Sequence, residues 1–150
     1  MKKVFSFLVL ISVLYCGFAC SSDETDLSTS GNVSQQITNT VNSGTWKLTR
    51  FVHNGSDQTI HFDGYTFVFS ENNILAASNG TEELMGSWSA LKNSFDDEID
   101  FEIVFSGPEY FIDLADEWHI ESRTKNKLEL TTVSDDGESS NFLRFEKIIN

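Results

Sequence analysis

The chain has 150 residues and a formal charge of -13, with ten basic side chains against twenty-three acidic ones. That size suits one folded domain, and the lack of any Lys/Arg cluster argues against a nucleic-acid partner, whose phosphates need a basic patch. Hydrophobic residues make up 39% and ten of the thirteen Phe follow Cys20, while both cysteines fall in the first twenty residues, so the core needs no disulfide and disorder throughout is excluded.

Met1-Lys2-Lys3 forms a positive n-region, Val4 to Tyr15 an apolar run, and Gly17-Phe18-Ala19-Cys20 a small-residue cleavage site ending in cysteine. At ~1.5 Å per residue the run covers roughly 18 Å of a hydrocarbon core about 30 Å thick, so it reads as an export signal and not as a span. The Gly-Phe-Ala-Cys segment resembles a lipobox, departing from it at Phe18, where a smaller residue is usual. The resemblance implies removal of residues 1–19 and lipidation of Cys20, and several acyl chains would make that anchor effectively permanent. An ordinary signal peptide cut nearby, leaving a free thiol, is the plainer alternative. With Lys2 and Lys3 gone, eight basic residues face twenty-three acidic ones, a charge of -15. Such a surface favours solubility and repels other anionic surfaces.

Ser21-Ser22-Asp23-Glu24-Thr25-Asp26 resembles the acidic export tag of Bacteroidetes surface lipoproteins, which implies outer-membrane attachment and surface display. A solvated, flexible tether accounts for the same residues. Val33, Ile37 and Val41 then recur at helical spacing, with Asn32 as a candidate cap and Gly44 as a stop, predicting one short helix.

From Thr45 the period is two. Trp46, Leu48 and Val52 alternate with Lys47, Thr49 and Phe51, and Asn54-Gly55 signals a turn. Tyr65, Phe67 and Phe69 share one face of a second strand, which Ile60 and Phe62 extend across Asp63-Gly64 in one reading. Asn72-Asn73 closes it, Ile74 to Ser78 is a short strand, Asn79-Gly80 turns, and Leu84, Gly86, Trp88 and Ala90 share a face. Ile99, Phe101, Ile103 and Phe105 oppose Asp100 and Glu102 in a half-buried strand that Gly107-Pro108 ends. Tyr110 to Ala115 suggests a helical turn. Trp118 and Ile120, Leu128 and Leu130, and Leu143 and Phe145 mark the last strands, separated by Lys125-Asn126 and Asp136-Gly137.

About eight strands with short connections predict an all-β fold, antiparallel because parallel pairing needs long crossovers. Closure into a barrel removes exposed edges; a two-sheet sandwich is the alternative. Gly44-Thr45-Trp46-Lys47-Leu48 resembles the Gly-x-Trp opening of the lipocalin first strand. Gly64-Tyr65-Thr66-Phe67, the second Gly-x-Trp at Gly86-Ser87-Trp88, Glu117-Trp118, and Phe142-Leu143-Arg144-Phe145-Glu146-Lys147 extend the likeness to the lipocalin-like domain of Bacteroidetes lipoproteins. It implies an antiparallel eight-stranded lipocalin-like up-and-down barrel over 44–150, after a signal peptide (1–19) and a lipidated, acidic, partly helical segment (20–43). There is no disulfide and no C-terminal helix, so no lipocalin ligand carries over.

Candidate chemistry is sparse. His53, His61 and His119 lack zinc-type spacing, and the acidic runs Asp96-Asp97-Glu98 and Asp135-Asp136-Gly137-Glu138 do not follow a calcium-loop pattern, so neither metal nor cofactor is expected. Without a nucleophile elbow or a reactive cysteine, no enzyme is expected either. What stays open is binding: a small apolar or amphipathic ligand inside the barrel, with Trp46, Phe67, Phe69, Trp88, Phe101, Phe105 and Trp118 as its lining, or an envelope interaction or structural module whose barrel those side chains simply fill. The membrane, through Cys20, is the one named partner.

Overall fold

The computed structural model describes residues 29–95, 98–133 and 140–149. The export segment, Cys20, the acidic tether, Asp96-Asp97 and the loop at 134–139 lie outside the described residues.

Helix α1 (Thr29–Asn42) is uncharged and buries Ile37 and Val41, the stripe its spacing predicts. Asn32, the expected cap, lies inside its first turn, because the helix begins three residues earlier at Thr29. Among the described residues nine strands follow: β1 (Thr45–His53), β2 (Ser56–Asp57), β3 (Thr66–Phe69), β4 (Ile74–Ser78), β5 (Glu83–Lys92), β6 (Ile99–Val104), β7 (Asp116–Arg123), β8 (Lys127–Val133) and β9 (Ser140–Lys147). A helical turn, α2 (Glu109–Ile112), sits between β6 and β7.

Every pairing is antiparallel and, β2 aside, joins neighbours in sequence. β9 then returns to β1, from Trp46↔Lys147 to Val52↔Phe142, and closes an eight-stranded up-and-down barrel. That ladder excludes the sandwich. β2 is a two-residue partner at the end of β1, joined to it by Asn54-Gly55, both at positive φ as a two-residue hairpin requires.

Two expectations fail for local reasons. The β1–β9 register shifts between Leu48 and Arg50, and this bulge reverses the alternation beyond it, so Phe51 is buried and Val52 is not. Ile60 and Phe62 do not extend β3 but lie in a 3-10 turn (Thr59–Phe62), with Ile60 74% exposed and Phe62 buried. Thr59 donates its amide N–H and its hydroxyl to Asp57 Oδ1 (3.0 and 2.5 Å) and its Oγ1 accepts the Phe51 amide (2.9 Å), which fixes a local turn instead of an extension.

The two barrel ends differ. The lower end, where β1, β4, β6 and β8 begin and β3, β5, β7 and β9 finish, is crossed by α1. There the Trp46 indole N–H donates to Val41 O (2.8 Å), Arg123 reaches Thr40 Oγ1 (3.3 Å), and Lys147 Nζ donates to Ser43 Oγ (2.8 Å). The upper end is stoppered by Phe62 from the 3-10 turn and by Phe111 and Leu114 from and just after α2, the latter fastened by Trp118 Nε1 donating to Leu114 O (3.1 Å).

Candidate functional site

Inward-pointing positions on β1, β3, β5, β6 and β7, with Phe105 just after β6, bring the seven candidate lining residues together. Trp46, Phe67, Phe69, Trp88, Phe101, Phe105 and Trp118 are all between 0 and 4% exposed. Their rings belong to one contact network with Phe51, Phe62, Phe111 and Phe145. From the lower end upward, Trp46 meets Phe69 (centroids 6.5 Å), Phe69 meets Phe145 (5.5 Å), Phe145 meets Phe67 (5.2 Å), Phe67 meets Phe111 (6.1 Å), and Phe111 meets Tyr110 (5.2 Å). Trp88 and Phe101 stack at 5.6 Å and both meet Phe69 from the side. Most of these contacts are edge-to-face, the favoured geometry of aromatic pairs. An eight-stranded barrel is just wide enough for its own side chains, and here a column of rings runs from one stopper to the other. Each indole N–H is also satisfied, Trp88 donating to Ser70 O at 3.1 Å.

Several of these rings escaped the strand periodicity. Phe51, Phe62, Phe111 and Leu114 join the core, yet Phe51 sits beyond a bulge and the others lie in short turns. The one available signal was the i, i+3 spacing of Phe111 and Leu114.

At the upper end the Tyr65 hydroxyl donates to Glu82 and meets the Tyr110 hydroxyl at 3.1 Å, and His61 stacks on Tyr110 at 5.6 Å. Burial, aided by the Glu82 bond, pushes the Tyr65 phenol above its ordinary range, so it stays a neutral donor. His53 lies on β1, far from His119, whose Nδ1 stands 3.6 Å from Glu98 and 3.8 Å from Asp100. Among the described residues no group of three or more His, Cys, Asp or Glu could hold a metal ion. The acidic run 135–138 lies outside them.

No known family profile matches the chain, and no curated protein matches it. It is similar in shape to a solved structure of a DUF4847 family protein. That protein is from Bacteroides vulgatus; it is 15% identical, the match covers 73% of this chain and 96% of the other, and the TM-score is 0.47. A likeness at this level carries neither fold nor function across, and the barrel stands on its own closed ladder of strands.

Outside the barrel, Glu129 on β8 is the hub of a polar network. Its carboxylate accepts Arg144 Nε (2.8 Å), Lys127 Nζ (2.9 Å) and the Ser122 hydroxyl. The Ser122 and Lys127 bonds, with Arg144 behind them, hold the carboxyl down to about 2 against an ordinary value of 4.5. A depressed folded-state value means the contribution is complete above about 4.5 and disappears as pH falls toward 2. The urea midpoint of the wild-type domain is therefore expected to drop across that window, and Glu129→Gln should drop less. Equal slopes would show that Glu129 carries none of the acid sensitivity.

Proposed function

We propose that the protein is a non-enzymatic lipoprotein of the cell envelope, anchored to the outer membrane through lipid on Cys20, whose solid barrel serves as an interaction module and works by its outer surface. The single observation behind this reading is the column of mutually touching rings between two stoppered ends. Opening a drug-sized pocket of roughly 300 Å³ would mean displacing several of these rings, each worth about 1.5–3 kcal/mol in burial. Between Trp46 and Tyr110 the rings of the column are all Phe and offer no polar handle to fix a ligand's orientation, and each indole N–H is already given to a backbone carbonyl.

The competing idea, a small apolar ligand held among Trp46, Phe67, Phe69, Trp88, Phe101, Phe105 and Trp118, is decided by native mass spectrometry of the mature protein purified from its own envelope. The expected spectrum contains the acylated polypeptide mass with no further adduct. A small molecule retained across independent preparations, and released only on unfolding, would establish the ligand-binding alternative. Metabolic labelling with a fatty acid tests the anchor separately, and absence of label from Cys20 would remove it.

A further inference from the structure

Although the chain is strongly acidic, five of its eight basic residues after Cys20 share one place. Lys47 on β1, Arg123 at the end of β7, Lys125 in the β7–β8 turn, Lys127 at the start of β8 and Lys147 at the end of β9 all lie at the lower end, on one side of it. The register sets Lys47, Glu146 and Lys127 in one cross-strand row. Lys125 is near enough to Lys147 that its charge, after burial, helps to lower the Lys147 ammonium's proton affinity. On this stretch of wall Glu121, Glu129 and Glu146 are the opposing acids, Glu129 standing 2.9 Å from Lys127 Nζ, and Glu98 reaches its edge 3.6 Å from His119 on β7; Glu71 belongs to a connection on another side of the rim. Helix α1, which crosses the same end, carries no charge. The upper end is the reverse: Asp57, Asp63, Glu82, Glu83, Glu109 and Asp116 gather there, with Arg50 on the wall below close enough to act on Asp57.

The end that carries the basic edge is also the end at which the chain departs toward Cys20. Eight residues lie between Cys20 and Thr29, so the two are at most about 32 Å apart at roughly 3.3–3.6 Å per residue. We propose that this basic edge, with the uncharged α1 beside it, is the face by which the domain lies against anionic lipid headgroups of its own membrane. The proposal deepens the reading of an anchored interaction module and rests on that anchor. The acidic upper rim does not forbid it. Eight-residue strands at ~3.3 Å per residue put that rim about 25 Å away, some three Debye lengths at physiological salt, so its repulsion turns the domain over more than it lifts it off. Each basic residue near such a surface contributes about a fivefold factor.

The test couples the chain from Cys20 onward, in which Cys20 is the single cysteine, to a maleimide lipid in nanodiscs of phosphatidylcholine alone or mixed with phosphatidylglycerol. A spin-labelled headgroup then broadens nearby backbone amides. Residues 123–127 should broaden more than residues 79–83 in the phosphatidylglycerol discs, and equally in phosphatidylcholine. Raised salt or the exposed pair Lys47→Gln with Lys125→Gln should cut the oriented population by roughly tenfold or more. Equal broadening of the two ends in anionic discs, or a bias that ignores salt and substitution, would overturn the proposal. Because the coupling supplies the anchor chemically, such a result is distinct from failure of Cys20 lipidation in the cell.

Discussion

Phe69→Ala is expected to destabilise the domain by about 4 kcal/mol, because a fully buried ring would be replaced by a cavity that its neighbours cannot fill. Phe69 sits where β3 ends, and Trp46, Trp88, Phe101 and Phe145 all press on it at centroid distances of 5.5–6.5 Å, three of them close to perpendicular. Those four rings come from four other strands, each held by its own ladder, so none can move inward without breaking register. Against a total stability of about 5–15 kcal/mol the loss is large, and for a domain of about a hundred residues it corresponds to a melting temperature lower by roughly 15–25 °C. Urea unfolding followed by tryptophan fluorescence measures it directly. A loss under about 1 kcal/mol would mean that the interior is slack at this point, and the solid-barrel reading would go with it.

Gly86→Ala is expected to cost about 3 kcal/mol or more, whereas Gly44→Ala should change stability by only a few tenths, although both glycines open a Gly-x-Trp segment. A Cβ on Gly86 would stand 2.3 Å from the Val104 carbonyl oxygen and 2.8 Å from the Phe105 ring, so β5 and β6 would have to separate. A Cβ on Gly44 meets only the aliphatic stem of Lys147, at 3.2 Å and beyond, and that stem can swing aside. Equilibrium denaturation of the two variants side by side distinguishes them. Similar losses in both would show that the tight approach of Phe105 to Gly86 can relax.

Much of the architecture was legible because alternation is imposed by the pleat itself. Phe101 and Ile103 on β6, Phe67 and Phe69 on β3, and Leu143 and Phe145 on β9 are buried where a period of two puts them, and the Asn54-Gly55 turn needs positive φ that few other residue pairs tolerate. The misreadings came where a local hydrogen bond or an extra residue interrupted that period. Thr59 and Asp57 curl the chain at Ile60, and the bulge after Leu48 exchanges the roles of Phe51 and Val52. Neither event leaves a signature in hydrophobicity, since Phe and Val are both apolar.

The amino-acid order alone determined an antiparallel set of strands with short connections, a helix carrying Ile37 and Val41 inward, and an interior of aromatic side chains, because these follow from periodicity and turn chemistry within a few residues of each position. Only the tertiary structure decided that β9 returns to β1, that a Cβ at Gly86 would meet the Val104 carbonyl while one at Gly44 would meet a flexible side chain, that rings from six separate elements meet end to end, and that basic residues spread over a hundred positions share one edge. These are outcomes of long-range closure, in which residues far apart in the chain become neighbours, and no window of sequence contains them.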